Sequence, residues 1–357
     1  MDNVEIGLIT CTPHDEVYSL YGHAALCVHY KNEGYHEVFT YGIFNFKAPN
    51  FVWRFIMGHT DYELGKTELQ FFVREYQKWG SQVSEQILNL TPQEKLAVIQ
   101  ALETNALPQN KVYRYNFFYD NCATRPRDIV ERAISGTIVY DERADYQPSY
   151  REMIHEYTRN NPWSAFGNDL LLGMKADTKT TRREQEFLPR NLQYDFDHAV
   201  VDRNGVKTPL VAQRLVIVPA GVQMTERSFP LSPLTCIMIL LAAALMVFIL
   251  EQKTGKTVVI WDAFLMLVTG LAGIIIVLMF FSEHPATSSN LQVLILNPLP
   301  LFFIPQVMRR RKTKWFKISL ILTLLFLAGS LLQDYAEGME IVALCLLTRY
   351  WRHRNDK

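Results

Sequence analysis

Residues 115–128, YNFFYDNCATRPRD, place a cysteine between two kinds of local structure. An aromatic run typical of a strand stops at Asp120 and Asn121, and the residues after Cys122 are typical of a helix, with a proline tolerated only near its start. A thiol in the first turn of a helix lies at the positive end of the helix dipole, which lowers its pKa and favours the thiolate. We therefore interpret Cys122 as a candidate nucleophile, with an ordinary buried cysteine as the alternative.

The 357-residue chain consists of two regions of different character. Residues 1–230 are polar and aromatic with many charges, whereas residues 231–357 are dominated by apolar runs. The formal net charge is zero, which gives no indication of a nucleic-acid partner. The polar region has three cysteines, too few for a disulfide framework. Because HExxH, paired CxxC, GxGxxG, phosphate-loop and GxSxG motifs are missing from the sequence, we expect no metal site and no cofactor.

Apolar runs in the second region approach the length needed to cross a bilayer core of about 30 Å. They cover roughly residues 233–250, 258–281, 291–308 and 316–333, and a shorter fifth run covers about 339–351. We expect an all-α transmembrane bundle of about five helices over residues 226–357. The third run contains three prolines, which predict a broken helix that either lines a polar groove or is packed within protein.

The loops between these runs differ in charge and predict an orientation. Twelve Lys and Arg residues lie in the loops after the first and third runs and in the C-terminal tail, and the other two loops have none. The positive-inside rule places the basic loops and the C-terminus in the cytoplasm and residues 1–225 on the opposite side. The opening MDNVEIGLIT lacks a signal-peptide pattern, so we expect that a cleaved signal peptide preceded Asp2. The inverted orientation is the alternative.

A β-hairpin is predicted from HAALCVHY (23–30) and YHEVFTYG (35–42) around the turn KNEG. His23 begins the first strand directly after a glycine. A cysteine nucleophile needs a base, usually histidine, and a strand-end histidine that faces a helix-start cysteine is the arrangement of papain-like thiol enzymes. We interpret His23 as the candidate base, with a satisfied core histidine as the alternative.

The register of this hairpin selects the residue that orients His23. If the first and last residues of KNEG pair, His36 lies opposite His29, about 20 Å from His23. Thr40 lies on the same face as His23 and is its diagonal neighbour. We therefore expect Thr40 to hold the imidazole, with Asn45 as the second choice.

The remaining polar sequence predicts further elements and candidate binding residues. Cys11 and Cys27 lie in apolar strand-like contexts and are interpreted as core residues. Helices are predicted over 91–105, 149–159 and 182–192, a strand over 111–119, and strands around an Asn-Gly turn within 198–218. The arginines after the thiol either bind a substrate phosphate or are solvated helix-start residues. The candidate substrate-binding residues are Arg125, Arg127, Asn121, Tyr21, Glu283 and His284.

Several stretches together resemble the Lnb-type lipoprotein N-acyltransferases of Bacteroidota. They are YGHAAL, FTYGIFNF, YRYNFFYDNCATRPRD, WSAFGNDLLLGMKADTKTTRREQEFLP and WDAFLMLVTGLAGIIIVLMFFSEHPATSSN. The order of histidine before cysteine also resembles circularly permuted papain-like folds, which include the lecithin:retinol acyltransferase relatives. The resemblance implies an α+β, circularly permuted papain-like thiol domain over residues 1–225 in the periplasm. A transmembrane domain over residues 226–357 would follow in the bacterial inner membrane.

The resemblance also implies an activity and its partners. Cys122 would take an acyl chain from a phospholipid as a thioester, and the α-amine of a lipoprotein's N-terminal diacylglyceryl-cysteine would then attack it. His23 would activate the thiol and later accept the proton of the amine. Thr40 stands where we expect Asn in related sequences. The alternatives are a membrane-anchored thiol hydrolase, either a cell-wall amidase or peptidase or a phospholipase, and a non-catalytic sensor or assembly module.

Overall fold

The computed structural model describes residues 1–14, 16, 19–45, 47, 49–222 and 229–354. The predicted domain boundary at residue 225 and the basic Lys357 lie outside these described residues. Internal contacts divide the chain into a thiol unit, Met1–Pro148 with Lys179–Glu226, and a membrane unit, Ser149–Thr178 with Arg227–Lys357. The expected mixed domain followed by a helical membrane domain is therefore confirmed, although residues 149–178 belong to the membrane unit.

An antiparallel sheet of seven strands forms the centre of the thiol unit. Its strands are β1 (Val4–Cys11), β2 (His23–Tyr30), β3 (Tyr35–Ile43), β4 (Asp61–Glu68), β5 (Val83–Leu88), β6 (Val112–Arg114) and β10 (Val211–Val218). They lie in the order β10-β5-β1-β2-β3-β4-β6. A small second sheet consists of β7 (Thr137–Val139), β8 (Val200–Arg203) and β9 (Val206–Pro209). The predicted hairpin register is confirmed, because Ala25 pairs with Thr40 and His29 pairs with His36.

Helices cover both faces of the large sheet. The helices of the thiol unit are α1 (Phe51–Ile56), α2 (Leu69–Lys78), α3 (Pro92–Ala106), α4 (Thr124–Ala133), α7 (Arg182–Gln185) and α8 (Pro189–His198). Side chains on alternate strand positions point to opposite faces, so Ile6 and Leu8 join the core that contains residues of α3, α4 and α8. Ile9 and Cys11 join the core that contains residues of α2. Cys11 and Cys27 are buried there, as predicted.

Two of the predicted elements differ from the structure. The strand predicted over 111–119 ends at Arg114, because the backbones of Asn116 and Asp120 hydrogen-bond to each other and close a tight turn. The helix predicted over 182–192 is two helices, since Pro189 starts a new helix and has no N–H to continue the preceding one. The capping box predicted at the start of α3 is present between Thr91 and Glu94.

Apolar helices dominate the membrane unit. They are α9 (Pro233–Thr254), α10 (Val259–Phe280), α11 (Leu299–Met308), α12 (Trp315–Gly329) and α13 (Met339–His353), and α5 (Tyr150–Thr158) and α6 (Pro162–Leu171) precede them. Within the described residues, three stretches are long and apolar enough to cross a membrane: 233–254, 259–280 and 291–308. The predicted fourth span is shorter than expected, a helix of 15 residues.

The third span is broken at the predicted place. A 3₁₀ turn, Leu291–Leu294, is separated from α11 by Asn297 and Pro298. A Cβ added at Gly273 of α10 would lie 2.3 Å from the Asn297 Cα, so the irregular backbone packs directly against α10. This contact favours the protein-packed alternative for the break over the polar groove.

Side-chain amides explain why residues 149–178 belong to the membrane unit. The Asn290 amide donates to the Leu170 carbonyl at 2.7 Å, and the Gln292 amide donates to the Asp169 carbonyl at 2.7 Å. The Gln333 amide donates to the Leu172 carbonyl at 3.1 Å. The last carbonyls of a helix have no partner within the helix, and these three amides satisfy them at the end of α6.

Candidate active site

The thiol lies in a turn that a single asparagine holds in place. The Asn121 side-chain oxygen accepts hydrogen bonds from the amides of Ala123 and Thr124 at 2.8 and 2.9 Å. Its Nδ2 donates to the carbonyls of Phe117 and Phe187, both at 2.8 Å. Asn121 therefore holds the turn that leads into α4 and fixes the neighbouring Cys122, which lies two residues before the first helical residue. Its side-chain amide is engaged in these contacts, and its substrate contact stays a prediction.

Burial dominates the electrostatics of the thiol. Cys122 is 8% exposed, and desolvation raises its pKa to about 11 even though hydrogen bonds from the backbone amides of Ala24 and Cys122 lower it. The expected low pKa is therefore wrong for this structure, since the loss of water outweighs the favourable helix start. At neutral pH the group is a thiol and needs a base to become a nucleophile.

His23 makes the hydrogen bond predicted from the hairpin register. Its Nε2 lies 2.7 Å from the Thr40 hydroxyl oxygen. Burial, and secondarily the charge of His14, lowers the pKa of His23 to about 4, so the ring is neutral at neutral pH. Because Thr40 occupies Nε2, the nitrogen that remains to take a proton is Nδ1. Asn45, the second choice, is exposed and accepts a hydrogen bond from the Lys47 amide.

Cys122 approaches the start of β2, the strand on which His23 lies. The backbone amide of Ala24, the residue directly after His23, lowers the pKa of the Cys122 thiol. Gly42 on β3 has φ +97°, and a Cβ added there would lie 3.9 Å from the Cys122 Cβ. Neither Ala24 nor Gly42 was predicted from the sequence. The glycine that ends the second strand of the hairpin was the available signal.

A cavity of about 530 Å³ lies beside His23. His23, Thr40 and Gly42 contribute to its wall, and so do aromatic residues of the α2 region, Phe72, Tyr76 and Trp79. The rings of His23 and Tyr76 are 6.3 Å apart and nearly parallel. Cys122 is not among the described residues that line this cavity. The cavity therefore combines aromatic surface and the imidazole with charged side chains, Lys66 and Glu75.

The guanidinium groups of the two arginines after the thiol are already paired. Arg125 forms a bidentate ion pair with Asp120 at 2.6 and 2.8 Å and lies 3.6 Å above the Tyr113 ring. Arg127 is 5% exposed and bonds to Glu186 at 3.1 Å and to the Arg183 carbonyl at 3.0 Å. These contacts do not favour phosphate binding, and the alternative of a solvated residue is wrong for Arg127.

The other candidate binding residues differ in their surroundings. Tyr21 is half-buried, and its ring meets the Phe117 ring edge-on at 4.9 Å. Glu283 is exposed and His284 is half-buried in the loop after α10, within the membrane unit. Their substrate contacts stay predictions.

Comparison with family models matches both regions of the chain. The model of the Lnb N-terminal periplasmic domain matches residues 1–156, and the model of the Lnb transmembrane domain matches residues 224–356. The comparisons with curated proteins and with solved structures gave no match. The candidate residues Cys122, His23 and Thr40 all lie in the region that matches the periplasmic domain.

Proposed function

The chain belongs to the Lnb family, and from this premise we propose that it is a membrane N-acyltransferase of lipoproteins. It moves an acyl chain from a phospholipid, through a thioester on Cys122, to the α-amine of an N-terminal diacylglyceryl-cysteine. One observation carries the proposal: Cys122 lies against the hairpin of β2 and β3, 3.9 Å from a Cβ placed at Gly42, and on the same hairpin the His23 ring is held by Thr40.

The first half-reaction starts from a neutral pair of side chains. The Cys122 thiol has a raised pKa and the buried His23 a lowered one, so the resting pair is thiol and imidazole rather than an ion pair. The His23 Nδ1 takes the thiol proton as sulfur attacks the ester carbonyl carbon of the phospholipid. The ester C–O bond then breaks, the imidazolium gives its proton to the leaving alkoxide, and a lysophospholipid departs.

The second half-reaction uses the same groups in the reverse direction. The neutral α-amine attacks the thioester carbonyl, and His23 accepts the proton that the amine loses. The C–S bond breaks as the amide forms, and the leaving sulfur takes the proton back from the imidazolium. The backbone amides of Ala24 and Cys122, which lower the pKa of the thiol, would stabilise the negative charge that develops on the carbonyl oxygen.

Both partners of the proposed reaction carry acyl chains that hold them in a membrane, which accords with a catalytic unit joined to apolar spans. We place the protein in the bacterial inner membrane, with the thiol unit in the periplasm. The basic loops and the C-terminal tail face the cytoplasm, because all twelve Lys and Arg residues counted above lie on one side of the spans.

A thiol hydrolase is the second candidate, since it shares the first half-reaction. Water rather than an amine would then attack the thioester, and the products would be a free fatty acid or a released cell-wall fragment. The aromatic side chains of Phe72, Tyr76 and Trp79 in the wall of the cavity would contact an acyl chain in either reaction.

Mass spectrometry of lipoprotein N-terminal peptides tests the proposal directly. Cells lacking their own copy of the gene produce the wild-type protein, Cys122→Ser or the control Cys236→Ser, whose cysteine lies in the membrane unit. Wild type and control should yield N-acylated termini, and Cys122→Ser should leave a free amine. Identical termini in all three strains would overturn the proposal, and free fatty acids and peptidoglycan fragments would then be assayed for the hydrolase.

A further inference from the structure

The hairpin of β2 and β3 has a second histidine cluster at the end away from His23. Cys27 and His29 are two residues apart on β2 and share a face of the sheet. His36 on β3 is directly opposite His29. Glu85 on β5 approaches the same face and is 1% exposed.

The nitrogen and sulfur atoms of this cluster converge. The Nδ1 atoms of His29 and His36 are 2.9 Å apart, and the Cys27 sulfur lies 4.0 Å from the His29 Nδ1. A tetrahedral zinc ion with bonds of about 2.0 Å to nitrogen and about 2.3 Å to sulfur holds its ligand atoms roughly 3.3 to 3.6 Å apart. The two observed distances bracket that range, and the ligand atoms of Cys27, His29 and Glu85 all lie within 4.8 Å of one another. A side-chain shift at His36 would complete the ligand set.

Glu85 supplies the partner that a metal-bound histidine commonly has. Its carboxylate lies 2.7 Å from the His29 Nε2, which leaves Nδ1 facing His36 and Cys27. A carboxylate on the far nitrogen fixes the tautomer and raises the basicity of the ligand. Glu85 reaches across β1 because Gly7 lies there. A Cβ added at Gly7 would be 2.0 Å from the Glu85 Oε1.

The surrounding charge favours a cation. The buried carboxylate of Glu85 lies 2.7 Å from His29, and Glu37 is paired with Lys66 at 3.2 Å. Glu85 therefore brings a negative charge to the cluster. A divalent ion would balance this charge and convert the thiol to a bound thiolate.

We propose that Cys27, His29 and His36 bind a transition-metal ion of the zinc class, with Glu85 orienting His29. The ion ties β2 to β3 at the end of the hairpin opposite His23, about 20 Å away by strand rise, and its role is structural. The sequence predicted no metal site because its ligands come from two strands and their support from a third, without a compact motif.

Zinc titration of the full-length, detergent-solubilised protein, stripped beforehand with a chelator, tests the site. Wild type and Cys236→Ser should bind one equivalent of Zn²⁺, and Co²⁺ should give a thiolate-to-metal charge-transfer band. Cys27→Ser and His36→Gln should lose both signals. Gly7→Ala keeps every ligand but displaces Glu85, and it should weaken binding on the order of 10- to 100-fold.

His36→Gln protects the test against misfolding, because His36 is only half-buried. Its thermal unfolding without metal should match that of wild type, and only wild type should gain thermal stability from zinc. Absence of stoichiometric zinc in wild type would overturn the proposal. Equal zinc binding by wild type, Cys27→Ser and His36→Gln would also overturn it.

A second inference concerns an exposed apolar surface around α1. None of the six described residues of this helix is buried, and Val52, Trp53 and Phe55 are 70%, 53% and 45% exposed. Ile43, at the end of β3, is 47% exposed. Large apolar side chains exposed as a group mark an interaction surface, whereas single ones do not.

The composition of this stretch matches a bilayer interface. Residues 43–57, IFNFKAPNFVWRFIM, contain five aromatic residues, two basic residues and no acidic residue. Trp and other aromatic side chains concentrate at the headgroup level, and basic residues are attracted to anionic lipids. Ile43 and Phe44 also line the cavity that contains His23, so the surface is continuous with the candidate site.

We infer that α1 and the end of β3 insert into the boundary between headgroups and acyl chains of a phospholipid bilayer. This inference deepens the proposed function, because it gives the phospholipid donor a route to the cavity. The test places the photo-crosslinker benzoylphenylalanine at position 52 of full-length Cys122→Ser in native membranes. Position 96 on α3, where Leu96 is 41% exposed, is the matched control.

Irradiation should give a phospholipid adduct at position 52 and none at position 96, as measured by intact mass. Adducts only to protein at position 52, including a second copy of the chain, would overturn the inference, as would equal lipid adducts at both positions. Because Cys122→Ser cannot form the proposed thioester, this background tests membrane insertion of α1 independently of acyl transfer. A lipid adduct together with unacylated lipoproteins in the wild-type strain would reject the proposed function alone.

Discussion

The two ends of the β2–β3 hairpin carry histidines with different kinds of partner. At one end, the buried His23 bonds to the neutral Thr40 hydroxyl, and its pKa falls to about 4. At the other end, His29 lies between His36 and the Glu85 carboxylate. The comparison teaches that one strand pair can provide a neutral base and a cation-binding cluster, depending on what the facing strand supplies.

A histidine of the membrane unit extends the comparison. His155 on α5 lies 2.9 Å from the Asp169 carboxylate, which raises the pKa of His155. Asp169 is also paired with the buried Arg151, which bonds to Asp177 as well. A carboxylate partner thus favours the charged imidazole, whereas burial beside a hydroxyl favours the neutral one, which is the form a general base needs.

Replacing the histidine at each end should give the largest contrast. His23→Gln removes the proposed base, and the rate of thioester formation should fall on the order of 10³-fold. His29→Gln should keep the rate per folded molecule within about threefold, since the effect of a structural metal on chemistry is indirect. Single-turnover release of lysophospholipid measures both rates, and thermal unfolding measures folding. Equal losses of rate in the two variants would contradict the division of roles.

Much of the hairpin could be predicted from the sequence because its information is local. The KNEG turn and the strand period of two fix the register, and the register places Thr40 beside His23. The apolar runs and their prolines similarly predicted the membrane helices and the break before α11. These features depend on neighbours along the chain or directly across one strand pair.

The features that the sequence analysis missed depend on distant parts of the chain. The Cys122 pKa reflects burial under other elements, and local position alone suggested the wrong direction. Arg127 is paired with Glu186, 59 residues away, and Glu85 reaches His29 only through the space above Gly7. Residues 149–178 join the membrane unit through Asn290 and its neighbours, more than a hundred residues along the chain.

Removal of the Thr40 hydroxyl should slow thioester formation less than removal of His23 does, and it tests whether the imidazole needs a hydrogen-bond partner. Thr40→Val keeps the shape of the side chain but removes the 2.7 Å hydrogen bond to His23. A lost hydrogen bond of about 1.4 kcal/mol corresponds to a roughly tenfold slower thioester formation. Thr40→Ser retains a hydroxyl and should stay close to wild type, and Thr40→Asn tests the residue expected in related sequences. A wild-type rate in Thr40→Val would show that the ring needs no such support.

The smallest expected effect is on the pH dependence of thioester formation. His23 acts as the base only when it is deprotonated, so the acid limb of the rate should follow its pKa of about 4. Between about pH 5 and pH 7 the rate should therefore change by less than about twofold, whereas a histidine of ordinary pKa would lose roughly 30-fold at pH 5. Release of lysophospholipid in a single turnover isolates this step from titration of the acceptor amine.

Thr40→Val should keep the same acid limb, because burial rather than the hydroxyl is the main cause of the lowered pKa. An acid limb near pH 6.5 in wild type would mean that His23 is solvated when the phospholipid reacts. Burial would then not be what distinguishes His23 from the histidines at the other end of the hairpin.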